Sequence, residues 1–167
     1  MMEALFFYIL GGLTVLSIIL MIFQSNPVAS ALFLVFSLFC LSAIYVILSA
    51  PFIAILQVLV YAGAIMVLFI FVIMLLKLKP ADLVDDRPSW GMAGIVILGL
   101  ASVGFMGFYL LQVPANAFLP VPAGFGDAEG VGRILFTKYL IPFELTSILL
   151  LIAIVGVVLL GKKGEDS

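Results

Sequence analysis

QVLVYAGAIMVLFIFVIML, residues Gln57 to Leu75, decides the fold class. It holds no Asp, Glu, Lys or Arg, and its only polar side chains are those of Gln57 and Tyr61. An α-helix needs roughly 20 apolar residues to cross a ~30 Å hydrocarbon layer. Read outward, the uncharged stretch continues: no charged residue occurs from Ala4 to Leu76, from Pro88 to Gly126, or from Leu145 to Gly161. Of 167 residues, 66% are hydrophobic and 10% charged, whereas soluble domains run at roughly 45–50% and about 25%. A surface facing water does not go without ionic groups over such lengths. A surface facing lipid must, because a charge at the bilayer centre costs ~2.5–3.5 kcal/mol or more. The expected fold is an all-α integral membrane protein.

Turn signals divide the chain into about five transmembrane helices that form a single membrane domain over residues 1–167, at approximately 4–23, 28–49, 51–78, 90–113 and 141–161. Gln24-Ser25-Asn26-Pro27 closes the first, and Ser49-Ala50-Pro51 separates the second from the third. The third is long, about 40 Å at 1.5 Å per residue, so it should tilt or protrude. Lys77 to Arg87 is the most charged stretch, and Trp90 then opens the fourth helix at an interface. Residues 114–140 read as an outer loop, too polar and too broken by Pro and Gly to span. With five crossings, Lys77, Lys79, Arg87, Lys162 and Lys163 fall on one side, and Arg133 and Lys138 on the other. The excess of basic residues places the N-terminus outside and the C-terminus in the cytoplasm. The first run reads as a retained helix, since Glu3 precedes it and no small-x-small cleavage site follows.

Several function classes drop out. A net charge of −2 with no basic patch argues against a nucleic-acid partner. There is no His, and Cys40 stands alone as a small buried hydrophobe. Ligands for haem or for thiolate-held iron–sulfur clusters are therefore missing, and no metal or cofactor is expected on this chain. No nucleotide loop or nucleophile–base pair appears, so no catalytic residue is expected. Asp82, Asp85, Asp86, Glu165 and Asp166 read as solvated charges. Helices with almost no intramembrane charge also make a poor independent transporter.

Polar residues concentrate in the third helix. Gln57 and Tyr61, four apart, are expected to share a face with Ala64 and Leu68. Ala62-Gly63-Ala64 allows close approach of another backbone. The plain reading is tight packing, with Gln57 and Tyr61 bonding across helices. The sharper one is a conformational switch or a hydrated path, since Gly weakens a helix by ~1 kcal/mol relative to Ala. Glu144 is the other candidate. Two residues after Pro142, it is either a first-turn acid stabilised by the helix dipole or an acid inside the membrane boundary that exchanges protons.

The Gln57–Leu75 block resembles the third helix of the subunit J family of NADH:quinone oxidoreductase, respiratory complex I, whose mitochondrial counterpart is NADH dehydrogenase subunit six. A second block, GRILFT (132–137) with Tyr139, PFE (142–144) and SILLLIA (147–153), resembles the approach to that family's fifth helix, and NPV (26–28) resembles its first turn. The resemblance implies a membrane-arm subunit near the quinone-reducing end, packed against subunits A, H, K and N in a bacterial inner (plasma) membrane. It implies a complex that passes electrons from NADH to quinone and pumps protons, with NADH, FMN, iron–sulfur clusters and quinone on other subunits. In that family the third helix can carry a π-bulge, and such bulges often mark functional sites. Carried over, this puts a coupling switch around Tyr61, Gly63 and Val67. Some relatives hold glutamate where this chain has Gln57, which cannot ionise. Two rivals remain at this stage: a subunit of an Mrp-type antiporter or membrane-bound hydrogenase, and a purely structural assembly subunit.

Overall fold

A computed structural model describes residues 2–76, 89–112 and 124–162. The readings that rest on Lys77–Arg87, on Lys163 and the tail carboxylates, and on the first part of the 114–140 loop lie outside the described residues. Every regular element among the described residues is helical. They are α1 (Met2–Phe23), α2 (Pro27–Ile47), α3 (Pro51–Leu56), a π-helical segment (Gln57–Ile65), α4 (Met66–Leu76), α5 (Ser89–Gln112), α6 (Ala128–Thr137) and α7 (Leu140–Lys162). Pro51–Leu76 is one continuous helical span of 26 residues. It, α1, α2 and α7 are each long and apolar enough to cross a bilayer. Uncharged α5 runs for 24 residues.

The α1–α2 turn follows from its residues. Asn26 Oδ1 accepts the backbone N–H groups of Val28 (2.9 Å) and Ala29 (3.4 Å), and Pro27 fills the first helical position, where no N–H is needed. In lipid, helices gain little from hiding apolar surface from one another, so close packing and hydrogen bonds pair them. Two serines supply the bonds: Ser17 Oγ donates to the Phe33 carbonyl (2.7 Å) and Ser30 Oγ to the Met21 carbonyl (3.0 Å). Thr14, by contrast, bonds back to Leu10 on its own helix.

α2 is the hub, packing against α1 and against the whole third span. Its buried residues are small or slender: Ala31, Ser37, Cys40, Ser42 and Ile44. Ser42 Oγ donates to the Ala54 carbonyl at 2.8 Å, tying α2 to the start of that span.

The segment before α7 holds more structure than expected. Where residues 114–140 read as a loop, Ala128–Thr137 is a short helix, α6. Val131, Ile134 and Leu135 follow helical spacing on it, while Glu129 and Arg133 make an exposed i,i+4 ion pair at 3.6 Å. Gly130 and Gly132 hide this periodicity in the sequence. α6 leads into α7 through Lys138 and Tyr139, with the Phe136 and Phe143 rings edge to face at 4.9 Å. No residue of α7 is buried.

Candidate functional site

The third span departs from α geometry at the small-residue block. Across Gln57–Ile65 it is a π-helix, and the Met66 N–H reaches back five residues to the Tyr61 carbonyl. Its buried residues are Ala54, Gln57, Ala62 and Met66. The interval from Gln57 to Ala62 is five, longer than an α-helical turn. In an uninterrupted α-helix at about 100° per residue, Ala54 and Met66 would lie about 120° apart. The wider π turn takes up one extra residue, so both meet α2 on one face.

That register corrects the expected pairing of Gln57 with Tyr61. Gln57 is 6% exposed, whereas Tyr61 is 52% exposed, and Ala62 takes the interior position at 4%. Tyr61 faces away from α2, as do Ala64 and Leu68. Val67 lies in α4, just past the end of the π segment, and is also exposed. The structure thus brings Gln57, Ala62 and Met66 to one seam and presents Tyr61, Gly63 and Val67 outward.

Gly63 holds a special place in this geometry. A Cβ built there would sit 3.2 Å from the Val58 carbonyl oxygen, five residues back. A side chain at 63 therefore presses on the carbonyl that the π register sets beside it. Next to this region Ser42, Val46, Pro51, Ala54, Ile55, Val58 and Leu59 line an apolar cleft of about 460 Å³ between α2 and the span. The π turn, the glycine and the cleft thus lie side by side at the start of the third span.

Glu144 belongs to a different place. α7 begins at Leu140, with the Phe143 N–H on the Tyr139 carbonyl at 3.1 Å, so Glu144 is its fifth residue and not in its first turn. Pro142 is tolerated inside that turn because its position needs no N–H partner. Glu144 is exposed, its carbonyl accepts the Ser147 hydroxyl at 2.7 Å, and it is not part of the third-span seam. Sequence reasoning missed Ser42, Ala54 and Met66. Ala54 and Met66 line up only once an extra residue is allowed in the turn after Gln57, and Ser42, on α2, is tied to them only through its bond to the Ala54 carbonyl.

Among the described residues no three His, Cys, Asp or Glu side chains gather as a metal site. Architecture and site together define a class: a multi-pass helical membrane protein whose distinctive feature is a wound-open turn in its third span. Residues 17–160 match the family described as NADH-ubiquinone/plastoquinone oxidoreductase chain 6. The chain is 42% identical to NADH-quinone oxidoreductase subunit J of Pseudomonas aeruginosa, over 94% of this chain and 95% of that one. It is 32% identical to the chloroplastic NAD(P)H-quinone oxidoreductase subunit 6 of Physcomitrium patens (97% and 85% covered). It is 31% identical to F(420)H(2) dehydrogenase subunit J of Methanosarcina mazei (99% and 94% covered). The chain belongs to the NADH-ubiquinone/plastoquinone oxidoreductase chain 6 family, the complex I subunit J family that its third-helix residues resemble. As a complex I subunit, it has other subunits of that complex as partners.

Proposed function

We propose that this chain is a membrane-arm subunit of a proton-pumping NADH:quinone oxidoreductase, and that it helps couple quinone reduction to proton movement by changing the register of its third span. The observation that carries the reading is the π segment at Gln57–Ile65, with Gly63 at the point where a side chain would press on it. Returning that turn to α geometry removes one residue's worth of winding. Everything beyond it then turns by about 100° and shifts by about 1.5 Å relative to what precedes it. Such a helix can hold two states a few kcal/mol apart when its neighbours accept both packings, and the cleft beside Val58 gives room for that. Gln57 would serve as a polar anchor rather than a proton carrier, since a carboxamide does not titrate.

The rest of the proposal extends family membership by what the resemblance implies. NADH, FMN, iron–sulfur clusters and quinone would sit on other subunits, the neighbours would be subunits A, H, K and N, and the home would be a bacterial inner membrane. The strong identity to a bacterial subunit J over nearly the full chain supports NADH as donor. The chain would cross five times with its N-terminus outside.

The decisive experiment is purification through a tag on this chain. The proposal expects a complex that oxidises NADH with quinone and moves protons, whereas this chain expressed alone should carry no flavin, haem or iron. Co-purification of a hydrogenase or an antiporter in its place would overturn the reading. Cysteines placed at Asp82 and Asp86 should react only from the cytoplasmic side, and labelling only from outside would reverse the orientation.

A further inference from the structure

The start of the third span is held from outside its own hairpin. Pro51 brings no N–H, and Ala50, at the N-cap, makes no side-chain capping bond. Phe52 is the first residue of the span with an N–H left free by the helix. That N–H donates to the carbonyl of Gly126, on the turn that leads into α6, at 3.1 Å. The turn seats closely: a Cβ at Gly126 would collide with the Ser49 carbonyl oxygen and lie 2.9 Å from the Ala50 Cα. Gly126 also has φ +81°, and Ser49 opposite it has φ 58°, so both sides of the contact adopt backbone that ordinary residues avoid. The seat is braced from behind, because a Cβ at Gly130 would come within 2.7 Å of the Gly124 carbonyl oxygen.

We propose that Gly126 is a positioning residue, whose carbonyl latches the outer turn onto the first turn of the third span and stays closed while the complex works. A segment more distant in sequence thus supplies the cap that Ser, Thr, Asp or Asn normally gives. The latch and the Ser42–Ala54 bond act on the same short stretch, Pro51–Leu56, immediately before the π segment. A change of winding can do work on a neighbour only if one end of the helix is held. With the start fixed to α2 and to the α6–α7 unit, rewinding is not lost as slack at the Ser49-Ala50-Pro51 turn. This rests on the register-change reading above.

The test uses the assembled complex in membranes at matched content, in a Cys40→Ala background. Gly126→Ala should lower maximal NADH:quinone turnover about fivefold, the lower end of ordinary coupling effects, with the quinone KM unchanged. Joining Ala50→Cys to Phe125→Cys with a short bis-maleimide, verified by mass spectrometry of the linked peptides, should leave turnover intact and restore part of what Gly126→Ala loses. A merely structural role would lower complex content without that rescue. Wild-type turnover in Gly126→Ala, or loss of turnover on cross-linking, would overturn the latch. If Gly126→Ala fails to assemble, the cross-link in the otherwise unaltered chain decides alone. Gly63→Val run alongside separates the two ideas: if it is also without effect, the register-change reading itself falls, and if it alone is impaired, only the latch does.

Discussion

The third span and α7 are close to equal by length and by apolar character, 26 and 23 residues, yet they are packed in opposite ways. The third span buries four residues against α2, is bonded to it through Ser42, and winds open for nine residues. α7 buries none and keeps α geometry throughout. Apolar content suits both helices to the membrane; they differ in winding and in what they pack against. A helix packed on one face must keep small residues in line, and one extra residue is accommodated only by widening a turn. Among the described residues α7 meets α6 only near its start, through Phe143 and Phe136, and the rest of it has no such line to keep.

Substitutions at matched complex content can sharpen or break this contrast. Gly63→Val should have the largest effect. It adds a β-branched side chain where even a Cβ meets the Val58 carbonyl, and crowding of this kind costs ~1–3 kcal/mol. Coupled turnover and pumping should fall about tenfold, and wild-type rates would reduce the small-residue block to packing. Gly63→Ala should do less, about threefold, because it combines the same first contact with a ~1 kcal/mol preference for regular helix. Ser42→Ala should come next. Loss of a bond worth ~0.5–1.5 kcal/mol should loosen the span from α2 and lower turnover by about twofold, and an effect as large as that of Gly63→Val would make α2 the moving partner. Tyr61→Phe should change turnover by less than about twofold, since the ring faces away from the seam and only a hydroxyl is lost. Smallest of all, Ile152→Val in α7 should leave turnover at the wild-type level. A loss there that matched Gly63→Val would show α7 to be as tightly registered as the third span, and the contrast would fail.

How much of this was legible depended on what a residue's neighbours must tolerate. The all-helical membrane fold was legible because long uncharged runs allow no other solution. The α1–α2 turn was legible because Asn26 and Pro27 carry their own geometry. The seam was not. From spacing alone Gln57 selects Tyr61, and only the extra residue in the π turn puts Ala62 there instead. The π-bulge itself was expected from family resemblance, not from the residues, because a one-residue widening leaves composition and length untouched. α6 was hidden by its two glycines. Of the two readings of Glu144, the first-turn one misses by a single residue, because the helix begins at Leu140 and not near Ile141-Pro142. The Gly126 contact joins residues more than seventy positions apart, and no local pattern announces it.

The two serine bonds between α1 and α2 act as a ruler. Ser17 with Phe33 and Met21 with Ser30 both straddle the turn at Ser25 almost symmetrically, one pair deeper in the hairpin than the other. Sliding one helix past the other by a single turn would part both pairs at once and leave hydroxyls to find carbonyls on their own helix, as Thr14 already does. That fallback is cheap, so the serines add little to the strength of the hairpin. What they set is its alignment: the depth at which α1 sits against α2 is fixed by residues of the hairpin itself, without help from the third span.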